Sequence, residues 1–348
     1  MFTSLFDFLN VRQEERYQVM LMLGAGFFMG IFFATYSVVA ESLFLNTLGN
    51  ELDKAFLTSG FLGIVATLLF SYAQNKVKFS NLTTSSIIVI VLLTALFYVG
   101  YHYGPQEYKE PIIFFMFCST GPINAVLLLS YWGIFGRLFN FKQSKRIIGW
   151  IDTGQLIAVI LANVLIPLTA RLFPATDNYV IICCIAIIIS AAHFIAISVR
   201  FPLIKNDPAE FDDTVRKETK MVKVLTEPYT KLLSVFLIIS MVTLMFAQFT
   251  FQELIKVQYP NQRELTNFLA YFNASIYGLS FIMQTFVNDR VVSNYGIRIA
   301  LLLLPVVVGI FAFSASITGL VFGYTPEMAP TSFIYFFLLV ALIRLFNS

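Results

Sequence analysis

The sequence predicts an all-α, polytopic membrane helix bundle, and three observations predict it. Hydrophobic residues make up 58% of the chain and charged residues 12%, where a soluble domain carries about 25% charged residues; the mean hydropathy is +0.78. Apolar runs of the roughly 20 residues needed to span a bilayer recur at 17–40, 56–74, 85–104, 111–136, 147–172, 177–199, 230–255, 266–287, 297–322 and 329–346, ten in all. Alternate loops differ in basic residues, with 18 of the 23 Lys and Arg on the side of the N-terminus. Cytoplasmic loops hold the excess of cations, so the N-terminus and the charged segment 200–229 are expected in the cytoplasm and the spans in the inner membrane. The net charge of +3 follows from this topology, which makes the lipid bilayer the partner and requires no nucleic acid.

Taken in order, residues 2–9 place Phe2, Leu5, Phe6 and Leu9 at helical spacing, which fits a short interfacial helix within 1–16. The first long run follows Arg12 and Arg16 and is about twice the length of a signal-peptide core, so it reads as a retained helix. Within it Gly26 and Gly30 form a small-xxx-small pair suited to close packing, and Gly30, Ser37 and Glu41 are its polar or small positions. The fourth span carries Thr120 and Asn124. The fifth follows Lys142, Lys145 and Arg146 and places Asp152, Gln155 and Asn163 on one side. In the sixth, His193 near Ser190 reads as a packing residue rather than a proton relay. The seventh contributes Gln248 and Gln252, and the eighth a stripe of Asn273, Tyr277, Ser280 and Gln284 at i, i+4, i+7 and i+11. Cys118, Cys183 and Cys184 lie inside spans without ligand spacing, so they read as buried thiols, with no disulfide framework or metal site.

The spans after the charged segment echo those before it. Asn75-Lys76-Val77 follows the second span as Asp289-Arg290-Val291 follows the eighth, and Glu51-Leu52 corresponds to Glu264-Leu265 at nearly the same separation. Two six-helix halves joined by a long cytoplasmic loop is the plan of the major facilitator superfamily. The expected organisation is therefore a six-helix bundle over 17–199, a linker over 200–229 and a C-terminal bundle over 230–348 holding four of its six helices, about ten of twelve spans. Because the repeat maps Ser348 onto the end of the fourth span, a longer protein is expected.

Polar side chains are costly in hydrocarbon and normally face a bundle interior or a watery cavity. Two readings are open for each: hydrogen-bonding glue between helices, or a solute site near the midplane of two converging halves. Substrate-site candidates are Glu41, Thr120, Asn124, Asp152, Gln155, Gln248, Asn273, Tyr277 and Gln284. Lys142, Lys145, Arg146, Asp289 and Arg290 are candidates for a cytoplasmic gate, where cations would gather an anionic solute and Asp152 would hold or release them. The alternative for the same stretch is positive-inside topology, with Asp152 paired to a cation or stabilised by the helix N-terminal dipole. The chain has no G-x-x-x-x-G-K-[ST], G-x-S-x-G or H-E-x-x-H motif, so neither an enzyme nor a cofactor or metal is expected.

From Tyr131, "YWGIFGRLFNFKQSKRIIGWIDTGQL" resembles the bacterial and plastid ATP/ADP translocases, relatives of the major facilitators. Trp132, Gly133, Lys145 and Arg146 stand at that family's aromatic-Trp-Gly and Lys-Arg positions. The segment "FAQFTFQELIKVQYPNQRELTNFLAYFNA" is similar in turn, through Tyr259, Pro260 and Phe268. The resemblance implies a secondary transporter of a small anionic or nucleotide-like solute. The chain departs from the family's charged site: no Lys lies between Tyr17 and Ala40, and the acids of the fourth and seventh spans align with Thr120 and Gln248. The alternative function is a non-transporting membrane sensor or anchor serving cytoplasmic domains of the same full-length chain.

Overall fold

The computed structural model describes residues 11–173, 175–201, 228–322 and 330–346. These residues form helices α1 (Arg16–Leu48), α2 (Leu52–Gln74), α3 (Phe79–Tyr103), α4 (Lys109–Leu138), α5 (Phe141–Thr169), α6 (Tyr179–Arg200), α7 (Pro228–Gln258), α8 (Gln262–Ile282), α9 (Asn288–Phe322) and α10 (Pro330–Phe346). Each coincides with one predicted apolar run. The interfacial helix expected over 2–9 and most of the linker over 200–229 lie outside the described residues.

Length and composition qualify six segments to cross a membrane: Gln13–Gln74 (α1 with α2), Phe79–Tyr103, Gln106–Leu138, Phe141–Thr169, Thr176–Arg200 and Thr230–Gln258. Two shorter apolar helical stretches, Val306–Val321 and Phe333–Leu345, accompany them. The architecture is that of an all-helical bundle compatible with a membrane. Large apolar side chains point outward along these helices, among them Leu57, Leu68, Leu96 and Leu165; water would disfavour such faces and hydrocarbon does not.

The chain divides into two compact units, Met1–Glu210 with Asn261–Tyr277, and Phe211–Pro260 with Gly278–Ser348. In the first, α1 is the central helix and packs against α4, α5 and α6, while α4 also holds α2 and α3, and α3 packs on α6. Met22, Phe32, Tyr36, Val38, Val39 and Phe44 of α1 are fully buried, positions that spread around much of the helix, as expected of one placed inside a bundle. Close approach to α5 depends on Gly30, where a Cβ would lie 2.7 Å from the Gln155 carbonyl oxygen and 3.0 Å from Ala158 Cβ. At Gly26 a Cβ would collide with the Tyr131 hydroxyl. The glycine pair therefore serves helix packing.

The expected C-terminal bundle began at residue 230, yet the first part of α8 belongs to the first unit. Its Thr266 hydroxyl is 2.6 Å from Ser42 Oγ and 3.1 Å from Thr176 Oγ1, and Arg263 donates to the Ala170 carbonyl oxygen at 2.7 Å. In the second unit α10 packs against α7 and α9, through Val308, Ala315, Leu339 and Ile343 with Ala247 beside them. Gly296, at φ 78, breaks α9 between its first turns and its apolar stretch. Left-handed backbone of this kind favours glycine.

Candidate functional site

The cytoplasmic-gate stretch begins with a helix start. Asn140 Oδ1 accepts from the Gln143 backbone N–H at 3.0 Å, and the Gln143 side chain accepts from the Asn140 N–H at 2.9 Å, a reciprocal cap that satisfies two otherwise orphan donors. The cap also aims Gln143. Its Nε2 donates to Glu15 Oε1 at 2.9 Å, and one turn further along α5 the Arg146 guanidinium donates to Glu15 Oε2. Glu15, in the short turn before α1, is only 4% exposed, so its charge is held almost wholly by these two α5 side chains.

Glu15 was not among the sequence candidates. An acid beside Arg16 on a cation-rich flank was the signal for it, but spacing does not tell which distant helix it meets. The other basic candidates differ from Arg146: Lys142 is exposed, and Lys145, also exposed, has its ammonium 5.8 Å from the Phe141 ring centroid. Arg290 is exposed in the second unit, and the Asp289 side chain lies outside the described residues.

Asp152 is half-buried on α5. On α4 the Tyr131 hydroxyl donates to the Met22 carbonyl oxygen of α1 at 3.1 Å, a contact that ties α4 to α1. Gln155, one turn on from Asp152, is half-buried where α5 meets Gly30.

Deeper in the helices the candidates separate by what satisfies them. The Thr120 hydroxyl bonds back to Met116 O of its own helix at 3.3 Å. Asn124 Oδ1 is buried without a hydrogen-bond partner among the described residues, and so is Asn163 Oδ1, whose Nδ2 donates to Val159 O at 2.9 Å. Glu41, half-buried, is in the first unit; Gln248, half-buried, is in the second. The predicted α8 stripe is divided: half-buried Asn273 and exposed Tyr277 belong to the first unit, whereas Ser280 and Gln284 belong to the second. Gln284 sits in a π-helical turn, Met283–Val287, which changes the register that a regular helix would keep.

The His193 ring Nδ1 is 2.8 Å from Ile189 O, and its ring lies tilted against Phe28 with centroids 5.8 Å apart. The thiols are free, Cys118 and Cys183 buried and Cys184 half-buried; Cys183 Sγ is 3.2 Å from Thr35 Oγ1. Among the described residues no group of three or more His, Cys, Asp or Glu could hold a metal ion. No model of a known protein family matches this chain, and no curated protein does.

Proposed function

We propose that the chain is a secondary transporter of major facilitator type, moving a small anionic or nucleotide-like solute by alternating access across the inner membrane, with its N-terminus in the cytoplasm. The observation that carries the reading is the pair of carbonyl oxygens, Asn124 Oδ1 and Asn163 Oδ1, buried within apolar helices without a partner among the described residues. Leaving such a group unsatisfied costs roughly 1–3 kcal/mol, and in a membrane bundle polar groups of this kind mark solute or water pathways. The buried Glu15 charge held by Gln143 and Arg146 supplies a contact that could open and close at one end of that pathway. The solute class rests on the resemblance to ATP/ADP translocases around Trp132, Gly133, Lys145 and Arg146.

Thr120 favours a second reading, a non-transporting membrane sensor or anchor. It stands where the resembled family has an acid, and its hydroxyl is engaged by its own helix. Uptake of nucleotides, organic anions and amino acids into proteoliposomes carrying the full-length protein separates the two. Saturable uptake of one class supports the transporter; flat uptake across all three refutes it.

A further inference from the structure

Helices α2 and α3 touch little, although both pack on α4. Between them runs an open groove of about 1050 Å³ lined by Leu69, Val89, Leu96 and Phe115 among others, with Ser85, Ser86, Ser119 and Tyr108 as its hydroxyl-bearing residues. Its lining on α3 extends from Leu82 to Gly100, about 27 Å at 1.5 Å per residue, close to the roughly 30 Å hydrocarbon core. The groove therefore crosses both leaflets.

Its two mouths differ in charge. Lys76 and Lys78 lie in the short turn that joins α2 to α3, between the last lining residue of α2, Ala73, and the first of α3, Leu82, so the turn carries both cations at that end of the groove. They are the only charged residues between Phe70 and Leu82, and both are exposed. The Lys76 ammonium sits 4.8 Å from the Tyr72 ring centroid. The Arg137 guanidinium, 3.6 Å from the Phe79 ring centroid, joins them, because Phe79 packs edge-on against the lining residue Phe70. The opposite mouth, around Gly104, Pro105 and Tyr108, carries Glu107, Lys109 and Glu110, a mixed set with an acidic excess.

We infer that this groove is a binding site for an anionic phospholipid, with acyl chains between α2 and α3 and the phosphate headgroup held by Lys76 and Lys78 in the leaflet they face. Apolar walls suit hydrocarbon chains, and the cationic mouth suits a phosphate, each basic residue near a membrane surface strengthening anionic-lipid binding. The inference rests on the membrane reading above.

The test uses the full chain in mild detergent, offered equal amounts of phosphatidylglycerol and phosphatidylcholine with identical acyl chains and read by native mass spectrometry. Wild type retains phosphatidylglycerol preferentially. Joint replacement Lys76→Gln and Lys78→Gln weakens its retention roughly 30-fold and leaves phosphatidylcholine unchanged. Ser85→Trp, which fills the groove and keeps both lysines, releases both lipids. Equal retention of the two lipids by wild type, undiminished phosphatidylglycerol on the lysine variant, or a protein-sized adduct displaced by Ser85→Trp overturns the site. A chain that stays soluble without detergent overturns the membrane reading itself, whereas a detergent-requiring chain without lipid preference overturns the lipid site alone.

Discussion

The Arg146 guanidinium at the start of α5 is paired with the Glu15 carboxylate at the start of α1, across 131 positions of sequence. Glu15 also receives the Gln143 side chain, itself part of the α5 cap. Charge pairing and helix initiation thus meet in three residues.

Breaking this pair from one side strands a buried charge. Arg146→Gln is expected to lower stability by about 3 kcal/mol, the low end for a buried pair because Arg146 is 23% exposed. Glu15→Gln with Arg146→Gln should cost less than the sum of the single changes. Denaturant unfolding of the four proteins in detergent, treated as a double-mutant cycle, checks this; strictly additive losses contradict an interaction.

Asp152 is half-buried within α5. Asp152→Asn is expected to insert normally and to change the rate of solute uptake or its dependence on pH. Uptake kinetics identical to wild type at every pH would remove Asp152 from the gate; the expected helix-start role is closed to it, because α5 begins at Phe141 and the dipole acts only within the first turn.

Gly30 faces the α5 backbone, so the added methyl of Gly30→Ala cannot be absorbed by turning a side chain. A loss of roughly 1–3 kcal/mol is expected, typical of overpacking. Gly60, whose Cβ would meet nothing within 4 Å, is the control: Gly60→Ala should leave the thermal midpoint unchanged or raise it.

Thr266 lies within reach of both Ser42 and Thr176. Thr266→Val, nearly equal in size but without the hydroxyl, is expected to destabilise by roughly 0.6–1.7 kcal/mol, the range for hydroxyl bonds between membrane helices. If the seam is real, Ser42→Ala in the Thr266→Val background should cost less than in wild type.

Topology is open to direct labelling. In a background with Cys118, Cys183 and Cys184 replaced, Glu107→Cys should react with an impermeant maleimide from the periplasm, and Glu210→Cys only after permeabilisation. Reversal of either result refutes the proposed orientation.

The sequence by itself determined that the chain is helical and apolar enough for a membrane, because length and composition are properties of a continuous stretch: each described helix overlaps a predicted run, although α1 extends to Leu48 past the predicted end at 40 and α9 begins at Asn288 before the predicted start at 297. It also marked Gly26 and Gly30 as packing positions and set Arg146, Asp152, Asn124 and Asn163 apart as costly polar groups. Only the tertiary structure decided what these residues meet. Glu15 became the partner of Arg146 through the approach of α1 to α5, which depends on Gly30 having no side chain. The first part of α8 joined the first unit through hydroxyls on three separate segments, and the stripe running to Gln284 was interrupted by a π turn that periodicity did not anticipate. Each outcome depends on shapes and polar groups from distant segments fitting together, and no local pattern of residues records that fit.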